Sequence, residues 1–432
     1  MLPGYLCKGW KVAAFIKPMF LRVLPCAKKP FKVVNILTFI CVLSASWAHA
    51  ASNDSTALKH YAQAEWFPPY DADSMVIVQR SSLPLLSQGT IAATQKAIEQ
   101  YEAIVSRGGW RSPLPIQHSM RLGESGDGVV ALRERLALAG DLTVSPRASS
   151  VFDSYVLAAV RQFQTRHGLK PTGEVDELTL EALNVPAETR LRQLKLNLGR
   201  LRNWASSTPN EYVAMNIPAA ALETVQEGSV VSRHEAGVGK VDRQSPIMKA
   251  RLTAINFNPY WTVPASIVRK DLIKQMQENP NYLTEHRIRA FLGNKEVSPN
   301  AINWSTNEAT RYTFRQDPGA EVNSLGFVRI DVQSPYGVYM HDTADRGIFG
   351  ENYRFISSGC VRIQNVRDYI AWLLKDNPGW NRVRINEAIE SGQRIDVPLT
   401  RPVATYWTYI TAWGSGNGLV NFRNDVYHKD GL

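Results

Sequence analysis

The sequence predicts an α+β multidomain protein, with helical segments first and a β-rich domain after them. Three observations carry this. Between about residues 88 and 207, apolar side chains recur at three- and four-residue spacing, the period of a helix face. From Tyr212 onward, short runs rich in Val, Ile, Tyr and Trp are separated by Gly, Pro and Asn, which is strand texture. The chain has 432 residues and 44% hydrophobic content, an ordinary globular composition with room for two or three domains of roughly 100–200 residues each.

Residues 1–50 read as an export signal. Lys28, Lys29 and Lys32 precede the apolar run VVNILTFICVLSASW, and AHA at residues 48–50 has the small-x-small form of a cleavage site. Cleavage after Ala50 is expected. An uncleaved signal anchor is the alternative, since the run is near the lower limit of roughly 17–25 residues for a spanning helix. Met19 is a second candidate start. The segment holds seven basic residues and no acidic one, so removing it takes the formal charge from +10 to +3. Basicity is therefore largely a targeting feature, and nucleic-acid binding loses its main support.

The elements follow in order. Residues 51–117 form an N-terminal helical scaffold region, whose clearest helix carries Ile91, Ala97, Ile98, Tyr101 and either Ile104 or Val105 and stops at Gly108 and Gly109. Residues 118–187 form a three-helix unit. Asp127 is read as capping a helix with Val129, Leu132 and Leu136 inward. The second helix buries Val156, Val160 and Phe163 and stops at Gly168, and Asp176 caps the third. Residues 188–210 are a basic linking helix with Leu191, Leu194, Leu198 and Leu201 on one face and charges expected on a solvated one. Residues 211–432 are the β-rich domain, interrupted at about 266–319 by a polar, partly helical stretch with the length of a lid or specificity insertion.

Chemistry concentrates in HDTADRGIFGENYRFISSGCVR, residues 341–362. Of the four cysteines, three leave with the signal, so Cys360 is alone in an oxidising compartment. It is either a buried inert thiol or a working nucleophile. FVRIDV alternates, SPYG turns and VYMH returns, so His341 ends a hairpin strand, a rigid mount for a base. A positioned imidazole can activate a thiol by taking its proton. Small residues before Cys360 let backbone N–H groups near Gly359 approach an oxyanion, and Arg362 can hold a carboxylate with its planar fork. Asn365 and Asp368 read as a capping pair opening the next helix. Tyr339 shares the strand face of His341, although a core tyrosine fits that position as well. His234 and His167 read as ordinary hydrogen-bonded histidines. No metal-binding spacing is present, so no metal or other cofactor is expected.

Two resemblances follow from these residues. AVRQFQTRHGLKPTGEVDELTLEALN resembles the three-helix peptidoglycan-binding module of wall-associated hydrolases and transpeptidases. HDT with SSGCVR, whose cysteine lies nineteen residues downstream of the histidine, resembles the signature of the L,D-transpeptidases of YkuD-type fold. YVAMNIPAAAL, NFNPYWTVP and YWTYITAW are similar to the large Gram-negative periplasmic members, which carry such a module and an insertion over the active site. The resemblance implies Cys360 as nucleophile, His341 as base and Gly359 at the oxyanion, with Arg362, Tyr339, Ser358 and Trp261 toward substrate. Many members have a histidine where this chain has Ser358, which leaves His341 to act alone.

The implied function is 3→3 cross-linking of meso-diaminopimelate residues through a cysteine thioester, with release of D-alanine from tetrapeptide stems. L,D-carboxypeptidase and lipoprotein-anchoring activities are alternatives, as is a non-catalytic peptidoglycan-binding scaffold. The implied partners are peptidoglycan stem peptides, wall-synthesis proteins and carbapenem inhibitors, and the implied location is the periplasm.

Overall fold

A computed structural model describes residues 81–431, except 111, 112, 116, 117, 144, 146–148 and 320. The export signal and its cleavage site lie outside the described residues. Among these residues no helix is long and apolar enough to cross a membrane.

The helical part begins with α1 (Gln88–Ser106), capped by the Ser87 hydroxyl, which accepts the Thr90 N–H. Next come α2 (Asp127–Leu138), α3 (Ser154–Arg166) and α4 (Glu177–Asn184). The six residues expected to face inward, from Val129 to Phe163, are at most 2% exposed. Burying each such side chain is worth roughly 1.5–3 kcal/mol, so this small core can hold three short helices together. Asp153 and Asp176 cap α3 and α4, each accepting a backbone N–H. Asp127 is not a cap: Gly126 occupies that place and Asp127 is the first helical residue, where its charge suits the helix dipole.

The linking helix α5 (Ala187–Ala205) keeps the expected solvated charge face at Glu188, Arg192, Lys195 and Arg202, but two of its arginines lie off that face. Arg190 is 5% exposed, with its guanidinium over the Phe422 ring, and Arg200 pairs with Asp430 at 2.6 Å. The helix is covered on more than one side. Leu201 packs with Tyr212 and Tyr406 of the sheet, and Leu194 with Tyr101 of α1 and Phe422, so arginines beside the leucine stripe are enclosed as well.

The β-rich part comprises β1 (Glu211–Asn216), β2 (Ala221–Gln226), β3 (Ser229–Gly239), β4 (Met248–Phe257), β5 (Trp261–Thr262), β6 (Ile288–Leu292), β7 (Lys295–Val297), β8 (Thr313–Gln316), β9 (Val328–Gln333), β10 (Met340–His341), β11 (Phe355–Ser357) and β12 (Val361–Ile363). Helices α6 (Val366–Leu373) and α7 (Arg382–Glu390) follow, then β13 (Ile395–Thr408), β14 (Ala412–Gly414) and β15 (Val420–Phe422). Nine strands form one sheet in the order β11-β3-β12-β10-β9-β4-β13-β1-β2, and β2 also pairs with β3. That second pairing closes the sheet into a barrel-like wall and removes most free edges. Its core takes Met215, Leu252, Ile255, Ile330, Met340 and Val361, with Tyr369 and Ile370 of α6 against them. Asn365 does not cap α6 through its side chain. It sits at φ 51°, ψ 43°, and its main chain turns the strand sharply into the helix.

The stretch after Phe257 is a subdomain of its own, with more strand than the sequence suggests. β5, β8, β6 and β7 form a separate four-stranded sheet. Helical turns at 265–278 and 282–285 pack Val268, Leu272, Met276 and Leu283 against Ile288 and Phe314.

Candidate active site

Register alone assembles the site. β10 runs parallel to β12 with Met340 opposite Val361 and His341 opposite Arg362, and antiparallel to β9 with His341 opposite Arg329. Side chains alternate across a sheet. Met340, Val361 and Ile330 point to the core and are fully buried. Tyr339, His341, Cys360, Arg362 and Arg329 therefore share the opposite face. Gly237 pairs with Arg362 on β3, so the next strand places no side chain over the guanidinium.

The imidazole of His341 is fixed in one tautomer. Its Nδ1 lies 2.5 Å from the carbonyl oxygen of Asp342, which can only accept, so the proton sits on Nδ1 and Nε2 keeps its lone pair. Burial, and then the nearby Arg362 charge, pull the imidazole down to about 3. The Asp342 carboxylate is itself buried and accepts the Phe327 N–H at 3.2 Å. Gly326 makes this possible: its φ is +58°, and a Cβ there would stand 2.1 Å from the Asp342 carboxylate. Burial also raises Asp342 above the usual carboxylate range.

Cys360 is a free, half-buried thiol. Burial pushes it up to about 11, against the opposing pull of the Tyr339 N–H and hydroxyl and the charges of Arg362 and Arg329. Burial therefore favours the uncharged form of each group. Tyr339 is tied from above, its hydroxyl accepting the Trp261 indole N–H at 3.1 Å. Trp261, Tyr339 and Cys360 thus form a chain from the insertion to the sulfur. The Tyr339 and His341 rings meet edge to face at 5.7 Å.

The loop before the thiol corrects one expectation. The Gly359 N–H is not open toward a substrate oxygen: it donates to the Ser357 hydroxyl at 3.1 Å, and that hydroxyl donates to the Cys360 carbonyl at 2.6 Å. Gly359 is required for its shape. Its φ is +111°, and its carbonyl accepts the Ser245 hydroxyl at 2.9 Å. Ser358 is exposed, and its hydroxyl accepts the Arg243 guanidinium at 3.0 Å. The same guanidinium reaches the Asp271 carboxylate of the insertion at 2.5 and 3.2 Å. Asp271 lies in a π-helical turn, Val268–Leu272, a widening that often marks functional positions.

All seven residues singled out from the sequence thus fall in one neighbourhood, from Trp261 to Arg362. Sequence reasoning passed over Arg329, Ser357, Arg243 and Asp271. Only Arg329 left a signal, being on the polar side of the FVRIDV alternation. Among the described residues, no group of three or more acidic, His or Cys side chains could hold a metal ion.

Residues 210–385 match the family model described as the L,D-transpeptidase catalytic domain, and residues 125–183 the one described as "Putative peptidoglycan binding domain". A Haemophilus influenzae protein described as "Putative L,D-transpeptidase" is 30% identical over 241 residues, covering 55% of this chain. The chain spans 48% of that relative, about half its length. Two solved structures are similar: an L,D-transpeptidase from Xylanimonas cellulosilytica (15% identity, 68% of this chain, 99% of that one, TM-score 0.24) and one from Stackebrandtia nassauensis (11%, 69%, 97%, TM-score 0.27). Residues 210–385 are thus similar to L,D-transpeptidase catalytic domains of YkuD type, and residues 125–183 to peptidoglycan-binding domains.

Proposed function

We propose that this protein is an exported peptidoglycan L,D-transpeptidase that forms 3→3 cross-links through a Cys360 thioester. One observation carries the reading: the β10–β12 register sets a tautomer-fixed imidazole, a thiol and two arginines on one face of a rigid sheet. The proposed division of labour is a wall-holding module at 118–187 and a catalytic domain at 211–432 with its insertion above the site.

In the first half-reaction, His341 Nε2 takes the thiol proton as Sγ bonds to the carbonyl carbon at the L-centre of meso-diaminopimelate. The C–N bond to D-alanine then breaks, and the imidazolium returns the proton to the departing amine. Proton transfer accompanies attack, because burial favours the uncharged form of each group. The Cys360 N–H serves the oxyanion, since the Gly359 N–H is committed to Ser357. The Tyr339 hydroxyl donates to the sulfur as charge develops there. Arg362 and Arg329 provide positive charge for the stem carboxylates. In the second half, the side-chain amine of another stem attacks the thioester carbonyl as His341 Nε2 takes a proton from that amine, and the C–S bond then breaks with the proton delivered to the departing sulfur. The insertion shields the thioester from water, which otherwise gives hydrolysis. A carbapenem offers a strained carbonyl to the same thiol and acylates it.

The test is incubation of the protein from residue 51 onward with disaccharide-tetrapeptide, read by mass spectrometry. Expected is a dimer formed with loss of one D-alanine, absent for Cys360→Ser. Tripeptide alone makes water the acceptor, and cross-linking retained by the serine variant removes the proposed nucleophile.

A further inference from the structure

A cleft of about 600 Å³ lies away from the catalytic face, and none of Cys360, His341, Tyr339 or Trp261 lines it. Its walls are the end of α3 and the turn after it (Gln162 to Thr172), the strands β1 to β3, the loop Phe349–Asn352 that leads into β11, the segment from Ser81 to Thr90, and the β14–β15 hairpin with Trp413. The module and the catalytic domain therefore share one concavity, within the roughly 300–1,000 Å³ range of small-molecule sites.

The charges in its walls are already committed. Arg166 holds Asp141, Arg233 holds Glu223, Arg354 holds Glu235 and Lys170 holds Glu351, all at 3.3 Å or less. Arg423 donates to the carbonyls of Arg166 and Phe422. An anionic ligand finds no uncommitted cation among these five, and a cationic one no uncommitted partner in those pairs. What remains is amide, hydroxyl and apolar surface. The Gln162 amide has no hydrogen-bond partner among the described residues, and Trp413 and Phe349 contribute ring surface. Amides beside aromatic rings match uncharged sugar rings, which offer hydroxyls at their edges and C–H groups on their faces.

We propose that this cleft is a binding site for the uncharged glycan chain of peptidoglycan, separate from the site that takes the stem peptides. The inference rests on peptidoglycan being the substrate and adds where its sugar portion is held. The cleft also borders the segment that runs into the nucleophile loop. Asn352 accepts the Lys170 N–H at 2.7 Å from the module side, and five residues on, Ser357 ties Gly359 to Cys360. A glycan seated there contacts both the module and the segment that shapes the thiol's loop.

The experiment is calorimetric titration of the protein from residue 51 onward with uncharged β-1,4-linked N-acetylglucosamine oligomers, because cleaving the stems from peptidoglycan leaves an ionised lactyl carboxylate on each muramic acid. Wild type and Cys360→Ser are expected to bind saturably, so the result does not depend on the chemistry at Cys360. Gln162→Trp, which fills the cleft, is expected to weaken binding at least tenfold, and Gln162→Ala two- to fivefold. Alkylation of Cys360 by iodoacetamide and the thermal midpoint are expected to stay unchanged in both. No binding by wild type overturns the proposal, as does binding only to strands that retain stem carboxylates. Undiminished binding by a folded Gln162→Trp places the glycan elsewhere and also overturns it. If that variant fails to fold, undiminished binding by Gln162→Ala does the same. Glycan binding without dimer formation in the mass-spectrometric assay breaks the transpeptidase reading alone.

Discussion

The floor of the active site and the insertion above it are built in opposite ways. His341 and Cys360 stand on or beside strands whose alternate residues, Met340 and Val361, are fully buried in the main core. The insertion has its own core around Leu283 and Phe314, and polar links tie it to the floor region: Trp261 to Tyr339 and Asp271 to Arg243. Interiors packed at crystal density hold a geometry, whereas partly exposed ion pairs contribute about 0–1 kcal/mol. On the proposed mechanism the chemistry is therefore set by the floor, and the insertion is free to adjust to an acceptor. Effects of substitution are expected to fall steeply from the first region to the second.

The largest effect is expected at His341, the proposed base. His341→Gln keeps a side chain of similar reach but cannot take the thiol proton, and a loss of about 10²–10⁴-fold in cross-linking is expected. A loss under tenfold means another group serves as base. Because burial puts His341 at about 3 and Cys360 at about 11, iodoacetamide alkylation of Cys360 is expected to rise about tenfold per pH unit from pH 7 toward 11. A plateau beginning in mild acid indicates a thiolate–imidazolium pair instead. Stability carries the same signature. The unfolded chain protonates its histidine near 6.5 and the folded one near 3, so stability falls as pH drops through that window. The thiol acts in reverse, and stability falls as pH rises from about 9 to 11. In urea titrations, His341→Gln is expected to flatten the acid side, and an unchanged acid slope contradicts the assignment.

Tyr339→Phe comes next. It removes the hydroxyl that faces the sulfur and accepts the Trp261 N–H, one link on the floor and one to the insertion. A hydrogen bond to a charged group is worth about 1.5–3 kcal/mol, so a loss of roughly ten- to a hundredfold in acylation rate is expected. If only the acceptor step slows, Tyr339 works through the insertion rather than on the thiol.

The sequence revealed the two regions unequally, for physical reasons. The floor was legible because alternation in FVRIDV and the His-to-Cys spacing are local patterns, and sheet register turns them directly into a shared face. The module's inward residues were legible for the same reason, since helical period predicts a buried side. Gly359 was misread because its N–H partner, the Ser357 hydroxyl, lies two residues away, and side-chain-to-backbone closure of a loop leaves no periodic trace. Arg190 was misread because its burial depends on Phe422, far along the chain. The strands of the insertion are three to five residues long, apart from the two-residue β5, too short for alternation to stand out beside the helical turns.

The smallest effect is expected at the tie between the regions. Asp271→Asn keeps the shape of the π-helical turn and removes the charge that holds Arg243, while Arg243 can still donate to Ser358. A partly exposed pair of this kind is worth no more than about 1 kcal/mol, so overall cross-linking is expected to fall by less than about fivefold. The informative quantity is the split between products. If the insertion adjusts to the acceptor and shields the thioester, loosening it leaves the rate of Cys360 acylation unchanged and raises the share of tripeptide, the product of water, over dimer. Product ratios from mass spectrometry beside acylation rates measure both. A matched loss in acylation of tenfold or more is the outcome that breaks the comparison, because it makes Asp271 part of the floor and the insertion as rigid as the strands beneath it.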